Sequence, residues 1–129
     1  MTLQQPSELE MQVLSVLWES GPLTVREVLA HMPDRKKRAY TTILSVLQVM
    51  EKKGYVIHTI NGKTHVFKAK VKKHKVLGSF VSKLVNNVFG GSRTGALQML
   101  LDKNVSKDDL RQIKALIKQV EQEIEAGEE

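Results

Sequence analysis

Thr41, Ser45, Gln48 and Lys52 recur at spacings of four, three and four. On an α-helix advancing about 100° per residue they form one polar stripe, while Ile43, Val46, Leu47 and Met50 fall on the opposite side. Hydroxyls, an amide and an ammonium share one chemistry, the hydrogen bonding and charge pairing by which side chains read base edges or hold phosphates. Arg35-Lys36-Lys37-Arg38 stands directly before the stripe, and Lys63 follows it on a basic hairpin. In those surroundings the stripe is best explained as a recognition helix lying in a DNA groove. A surface helix beside a solvated charge run is the other reading of the helix taken alone. On the DNA reading, Arg35, Lys36, Lys37, Arg38, Lys52, Lys53 and Lys63 supply phosphate contacts, which give affinity and register without reading sequence. Thr41, Thr42 and Ser45 reach base edges or phosphates, and Gln48 is the candidate for paired hydrogen bonds to an adenine. Leu44 and Val49 flank the stripe and either touch thymine methyls or pack against neighbouring helices. Tyr40 either stacks near the sugar-phosphate backbone or plugs the core.

Other chemistries find little support. The chain has no Cys, which removes disulfides, thiolate metal sites and cysteine nucleophiles together. His58 and His65 face one another in the expected hairpin, but two ligands without a nearby carboxylate make an incomplete metal site, and cross-strand polar pairing is the simpler role. No Gly-rich phosphate loop is present, and no cofactor is expected. No apolar run reaches the ~18 residues of a transmembrane span, so no membrane association is expected and the cytoplasm is the expected compartment.

Charge is unevenly placed along the 129 residues. Residues 1–30 carry one Arg against four acids, residues 31–75 twelve Lys/Arg against two acids, and residues 76–129 seven against eight. An excess of ten positive charges in the middle third invites a polyanion. It argues against a winged helix that serves only as a protein-interaction module, the alternative function class.

The elements that position these residues can be read in order. Ser7-Glu8-Leu9-Glu10 is a capping box opening a helix with Met11, Leu14, Leu17 and Trp18 on its apolar side, stopped by Gly21-Pro22. Thr24-Val25-Arg26-Glu27 is a second capping box, beginning a short helix whose Val25, Val28, Leu29 and Met32 point inward until Pro33. The stripe-bearing helix, Ala39 to Gly54, is the third, giving a helix-turn-helix. Tyr55–Ile60 and Thr64–Lys68 are β-rich runs around Asn61-Gly62, a hairpin signal of the type I′ kind. A two-residue turn there puts Ile60 opposite Lys63 and His58 opposite His65, with Lys63 at the tip of a wing. The expected division is a winged-helix domain over 1–71 and a helical domain over 72–129, in a mostly α fold with one small β-hairpin.

In the second domain a helix carries Val76, Leu77, Phe80, Val81, Leu84, Val85 and Val88, too apolar for a solvated linker. Phe89-Gly90-Gly91-Ser92 breaks it. A short apolar helix, Ala96 to Leu101, follows. Ser106 caps a last helix in which Leu110, Ile113, Ile117, Val120 and Ile124 recur at spacings of 3, 4, 3 and 4, a heptad seam about two repeats long. Val76, Phe80, Leu84, Leu110, Ile113, Ile117 and Val120 are the candidate dimerisation residues, because a winged module has little spare core to cover three more helices.

The run AYTTILSVLQVMEKKGYV, the entry LWESGPLTVREVL and the FGGS break together resemble the penicillinase-repressor family, the BlaI/MecI/CopY type of bacterial transcriptional regulator, over about residues 7 to 124. The resemblance implies a homodimer with an N-terminal winged-helix DNA-binding domain and a C-terminal dimerisation domain, repressing promoters at palindromic double-stranded DNA operators. It implies no enzymatic activity, and it implies a signalling protease or sensor as a further partner. Two departures stand out. Where the beta-lactam-responsive branch is cut at an Asn-Phe bond, this chain has Gln98-Met99, and it lacks the Cys-rich metal motif of the copper-responsive branch.

Overall fold

The computed structural model describes residues 5–128. In chain order the elements are α1 (Glu8–Ser20), β1 (Leu23–Thr24), α2 (Val25–Ala30), α3 (Tyr40–Lys53), β2 (Val56–Asn61), β3 (Thr64–Ala69), α4 (Lys73–Asn87), α5 (Arg93–Leu100) and α6 (Lys107–Glu128). The chain divides into two compact units, Met1–Ser82 and Lys83–Glu129.

Local chemistry sets most element ends in the first unit. Both capping boxes form: Glu10 N–H donates to Ser7 Oγ while Glu10 Oε1 accepts from Ser7 N–H, and Thr24 and Glu27 repeat the arrangement at α2. At the end of α3, Gly54 adopts the left-handed conformation with φ 86°. Gly54 N–H then reaches the Glu51 carbonyl at 3.1 Å and Tyr55 N–H the Met50 carbonyl at 2.9 Å, the two bonds of a Schellman ending that turns the chain into β2.

The core of this unit joins α1, α2, α3 and the sheet. Val13, Leu14, Val28, Ile43, Leu47 and Met50 are fully buried, with Tyr55, Val56 and Phe67 closing it from the sheet side. α1 buries a wider face than its expected stripe of Met11, Leu14, Leu17 and Trp18. Val13 and Val16 are buried while Met11 and Trp18 are only half-buried, because α1 packs against both α3 and β3. Trp18 Nε1–H donates to the Val71 carbonyl at 3.0 Å, and Val76 of α4 packs against the same core. The first turns of α4 therefore belong with the winged unit, and the division falls later than the 71/72 boundary suggested by the sequence.

The sheet has three strands in the order β1-β3-β2, all antiparallel. β1 is an addition to the expected hairpin: Leu23 and Thr24 pair with Phe67 and Val66 immediately before Thr24 caps α2. The hairpin register also differs from expectation. Asn61 pairs with Thr64, Ile60 with His65 and His58 with Phe67, so the turn is Gly62-Lys63 instead of Asn61-Gly62. Positive φ occurs at Gly62 (65°) but not at Lys63, the sign pattern of a type II′ turn, which needs Gly first. His58 and His65 are consequently diagonal neighbours on one face of the sheet.

In the second unit, Gly90 (φ 59°) and Gly91 (φ 85°) turn the chain out of α4, and Gly91 N–H donates to the Val85 carbonyl at 2.9 Å. Ser92 caps α5 and Ser106 caps α6, each accepting from the backbone N–H three residues on. No residue of α5 or α6 is buried.

Candidate nucleic-acid interface

α3 has three sides with different surroundings. Ile43, Leu47 and Met50 point into the core, and Thr41, Ser45, Gln48 and Lys52 are exposed directly opposite. Between them, one flank carries Thr42, Val46, Val49 and Lys53 toward α1. The other carries Tyr40, Leu44 and Glu51 toward α2 and the wing. The burial pattern follows from the 3.6-residue period: apolar side chains three and four apart occupy the core, so the polar set must face water.

The basic loop before α3 is shaped by an acid. Asp34 Oδ1 accepts from Lys36 N–H at 3.2 Å and from Arg38 Nη1 at 2.7 Å, while Arg38 Nη2 reaches Oδ2 at 2.6 Å. This fork on a carboxylate holds Asp34 well below the usual carboxylate range and raises Arg38. Arg35 takes a left-handed φ of 55°, and its N–H donates to the Met32 carbonyl at 3.2 Å. Arg35, Lys36 and Lys37 are left as the exposed cations of the loop, and Arg38 is tied back to Asp34.

Lys53 is tied inward as well. Its Nζ lies 3.1 Å from both carboxylate oxygens of Glu10, which is buried under the end of α3. Burial alone would raise the Glu10 pKa, but the Ser7 N–H and the Lys53 ammonium outweigh it and the net shift is downward. Of the seven cations expected on phosphates, Arg38 and Lys53 thus have partners inside the fold. Arg35, Lys36, Lys37, Lys52 and Lys63 are exposed.

The wing lies beside the Tyr40 flank. Lys63 is exposed at its turn, and the His58 and His65 rings stack at 4.6 Å between centroids, 11° from parallel. A carboxylate absent from the sequence reading is present: Glu51 Oε1 accepts from His58 N–H at 2.9 Å and shares a hydrogen bond with its Nδ1. Among the described residues, no group of three or more His, Asp or Glu is placed to hold a metal ion. Glu51 ties β2 to α3 through His58, and the His58–His65 stack joins β2 to β3.

Tyr40, for which two placements were open, is exposed, and the Arg26 guanidinium lies 5.1 Å above its ring centroid. Leu44 is half-buried against the core, whereas Val49 is exposed. In the sequence Arg26 stands out only as part of a capping box. Its neighbour Tyr40 lies fourteen positions away across the α2–α3 loop, so no local pattern signals the contact.

Among the candidate dimerisation residues, Val76 is drawn into the winged core. Phe80, Leu84, Ile117 and Val120 are exposed, and Leu110 and Ile113 are half-buried. Among the described residues no helix is long and apolar enough to cross a membrane.

The sequence pattern of the penicillinase repressor family matches residues 6–119. The chain is similar to the transcriptional regulator BlaI of two Mycobacterium tuberculosis strains, CDC 1551 / Oshkosh and ATCC 25618 / H37Rv. Each match is 30% identical over 122 residues, covering 92% of this chain and 87% of that protein. Among solved structures, the solution structure of Bacillus licheniformis BlaI, in its monomeric form in complex with the blaP half-operator, matches with a TM-score of 0.48 and 23% identity. That match covers 57% of this chain and 89% of the other.

Proposed function

This chain belongs to the penicillinase repressor family, whose members are transcriptional regulators and not enzymes, and we propose on that ground that it is a sequence-specific DNA-binding repressor acting as a homodimer on palindromic operators. The observation that carries the proposal is the exposed stripe of Thr41, Ser45, Gln48 and Lys52 on a helix whose opposite side is locked into the core. α3 enters the major groove, Gln48 makes paired hydrogen bonds to an adenine, and Thr41, Thr42 and Ser45 reach base edges or phosphates. Arg35, Lys36, Lys37, Lys52 and Lys63 neutralise phosphates on either side. Arg38 and Lys53 act through the fold, fixing the loop and the helix end that carry the others.

Joining two such modules is assigned to the second unit, which includes Leu84, and to Phe80 on the part of α4 that precedes it. On α6 the exposed Ile117 and Val120 continue the heptad spacing of the half-buried Leu110 and Ile113, α4 carries its own exposed Phe80 and Leu84, and a second copy is the partner with the same self-complementary faces. Two subunits on a two-fold axis present their α3 helices to half-sites about 10 base pairs apart, or a multiple of that. The test is selection of genomic fragments by the purified protein. Recovery of a shared inverted repeat is expected, and absence of DNA affinity even at low salt would return the chain to a protein-interaction role.

A further inference from the structure

One cleft of about 540 Å³ lies on the wing side of the recognition stripe, with Gln48 of the stripe at its edge. The first turn of α2 and the Tyr40 flank of α3 form one wall, and the wing turn forms the other; Val25 and Leu44 lie between them. Its charged lining is one-signed: Arg26 and Lys63 border it, and no carboxylate does. The nearest acid in sequence, Glu27, is turned back onto the Thr24 N–H at 3.0 Å as part of the α2 cap. Among the described residues neither Arg26 nor Lys63 has an ion-pair partner, in contrast to Arg38 and Lys53.

Arg26 is also pre-positioned. Stacking of its guanidinium over the exposed Tyr40 ring restricts the side chain at an otherwise solvated site while leaving its N–H donors unpaired. A planar cation held over an aromatic face, with a second cation across a channel floored by apolar side chains, suits one ligand chemistry. Phosphate oxygens meet the donors, and the deoxyribose lies against the apolar floor.

We propose that this cleft is a second phosphodiester-binding site, in which Arg26, positioned by Tyr40, and Lys63 grip the sugar-phosphate backbone of one operator strand on the wing side of α3. It is separate from the loop cations Arg35, Lys36 and Lys37. The site rests on the DNA-binding reading and deepens it: the stripe is flanked by a backbone clamp on the wing side as well as by the basic loop. Tyr40 is a positioning residue, since its part is to hold the guanidinium.

The experiment measures affinity of the full chain for a fluorescein-labelled duplex of mixed sequence, about three helical turns long, across a salt series. Arg26→Ala should lower the slope of log affinity against log salt by about one per subunit and weaken binding roughly eightfold near 0.1 M salt, as one lost counterion release requires. Arg26→Lys should keep the slope. Tyr40→Leu, which removes the platform and no charge, should leave the slope unchanged and weaken binding about threefold. Tyr40→Phe should behave as wild type, and Tyr40→Leu should add nothing once Arg26 is Ala. A slope that falls for Lys37→Ala but not for Arg26→Ala removes the cleft from the interface and leaves the DNA-binding reading standing. A wild-type chain without salt-sensitive affinity overturns both.

Discussion

α3 and α6 are both amphipathic helices, and they end in opposite situations. Ile43, Leu47 and Met50 of α3 have no solvent exposure, whereas Ile117 and Val120 of α6 are 46% and 44% exposed and no residue of the helix is buried. α3 finds its partners in α1, α2 and the sheet, so its apolar side is satisfied within one chain and its polar stripe is held rigidly outward. α6 carries as regular a pattern with no cover of comparable extent. A helix that satisfies its apolar face internally can present a polar one to a ligand, and a helix that does not is itself a surface in need of a partner.

The largest losses are expected in the core. Leu47→Ala or Ile43→Ala should destabilise the winged unit by about 2–5 kcal/mol, because burial is complete and little can collapse into the space. Urea unfolding followed by Trp18 fluorescence reads this directly. Ile117→Ala should cost far less in a dilute monomer, and an equal loss there would mean that α6 is packed within its own chain.

Charging the seam probes the other half. Ile113→Asp combined with Ile117→Asp should leave folded monomers whose affinity for a two-site operator falls on the order of 10²-fold, because the second half-site no longer benefits from tethering. A double variant that stays dimeric in sedimentation removes these two residues from the interface.

A smaller effect sharpens the account of how α3 is fixed. Glu10 has its pKa lowered in the folded chain, so its contribution is present above the ordinary glutamate value of about 4.3 and is lost as pH falls through the lower folded value. Glu10→Gln should therefore destabilise by about 1 kcal/mol at pH 7, with the difference from wild type shrinking below about pH 4. A difference independent of pH would assign the loss to packing instead of to the Lys53 tie.

What the sequence discloses follows the range of the interaction. Both capping boxes, the Gly54 ending and the two faces of α3 depend on residues at most five apart, and all are legible. β1 is not: two residues become a strand only because Phe67 and Val66 lie beside them. The hairpin was readable but its register was not, since Asn61-Gly62 and Gly62-Lys63 both offer Gly a positive φ and the flanking pairs decide between them. Among the site residues, the exposure of Thr41, Ser45 and Gln48 follows from helical period alone. The inward ties of Arg38 and Lys53 were hidden for different reasons. Asp34 is a local partner that a run of four cations obscures, and Glu10 lies forty-three positions away. Arg26 was missed for the same reason as β1.

The stoichiometry of the chain on a selected operator duplex tests the division of labour between α3 and α6 most directly. Sedimentation velocity at micromolar protein should show two chains per duplex bearing two half-sites, and one when either half-site is destroyed and the seam is charged. One wild-type chain per intact duplex, with no dimer free in solution, would contradict the account.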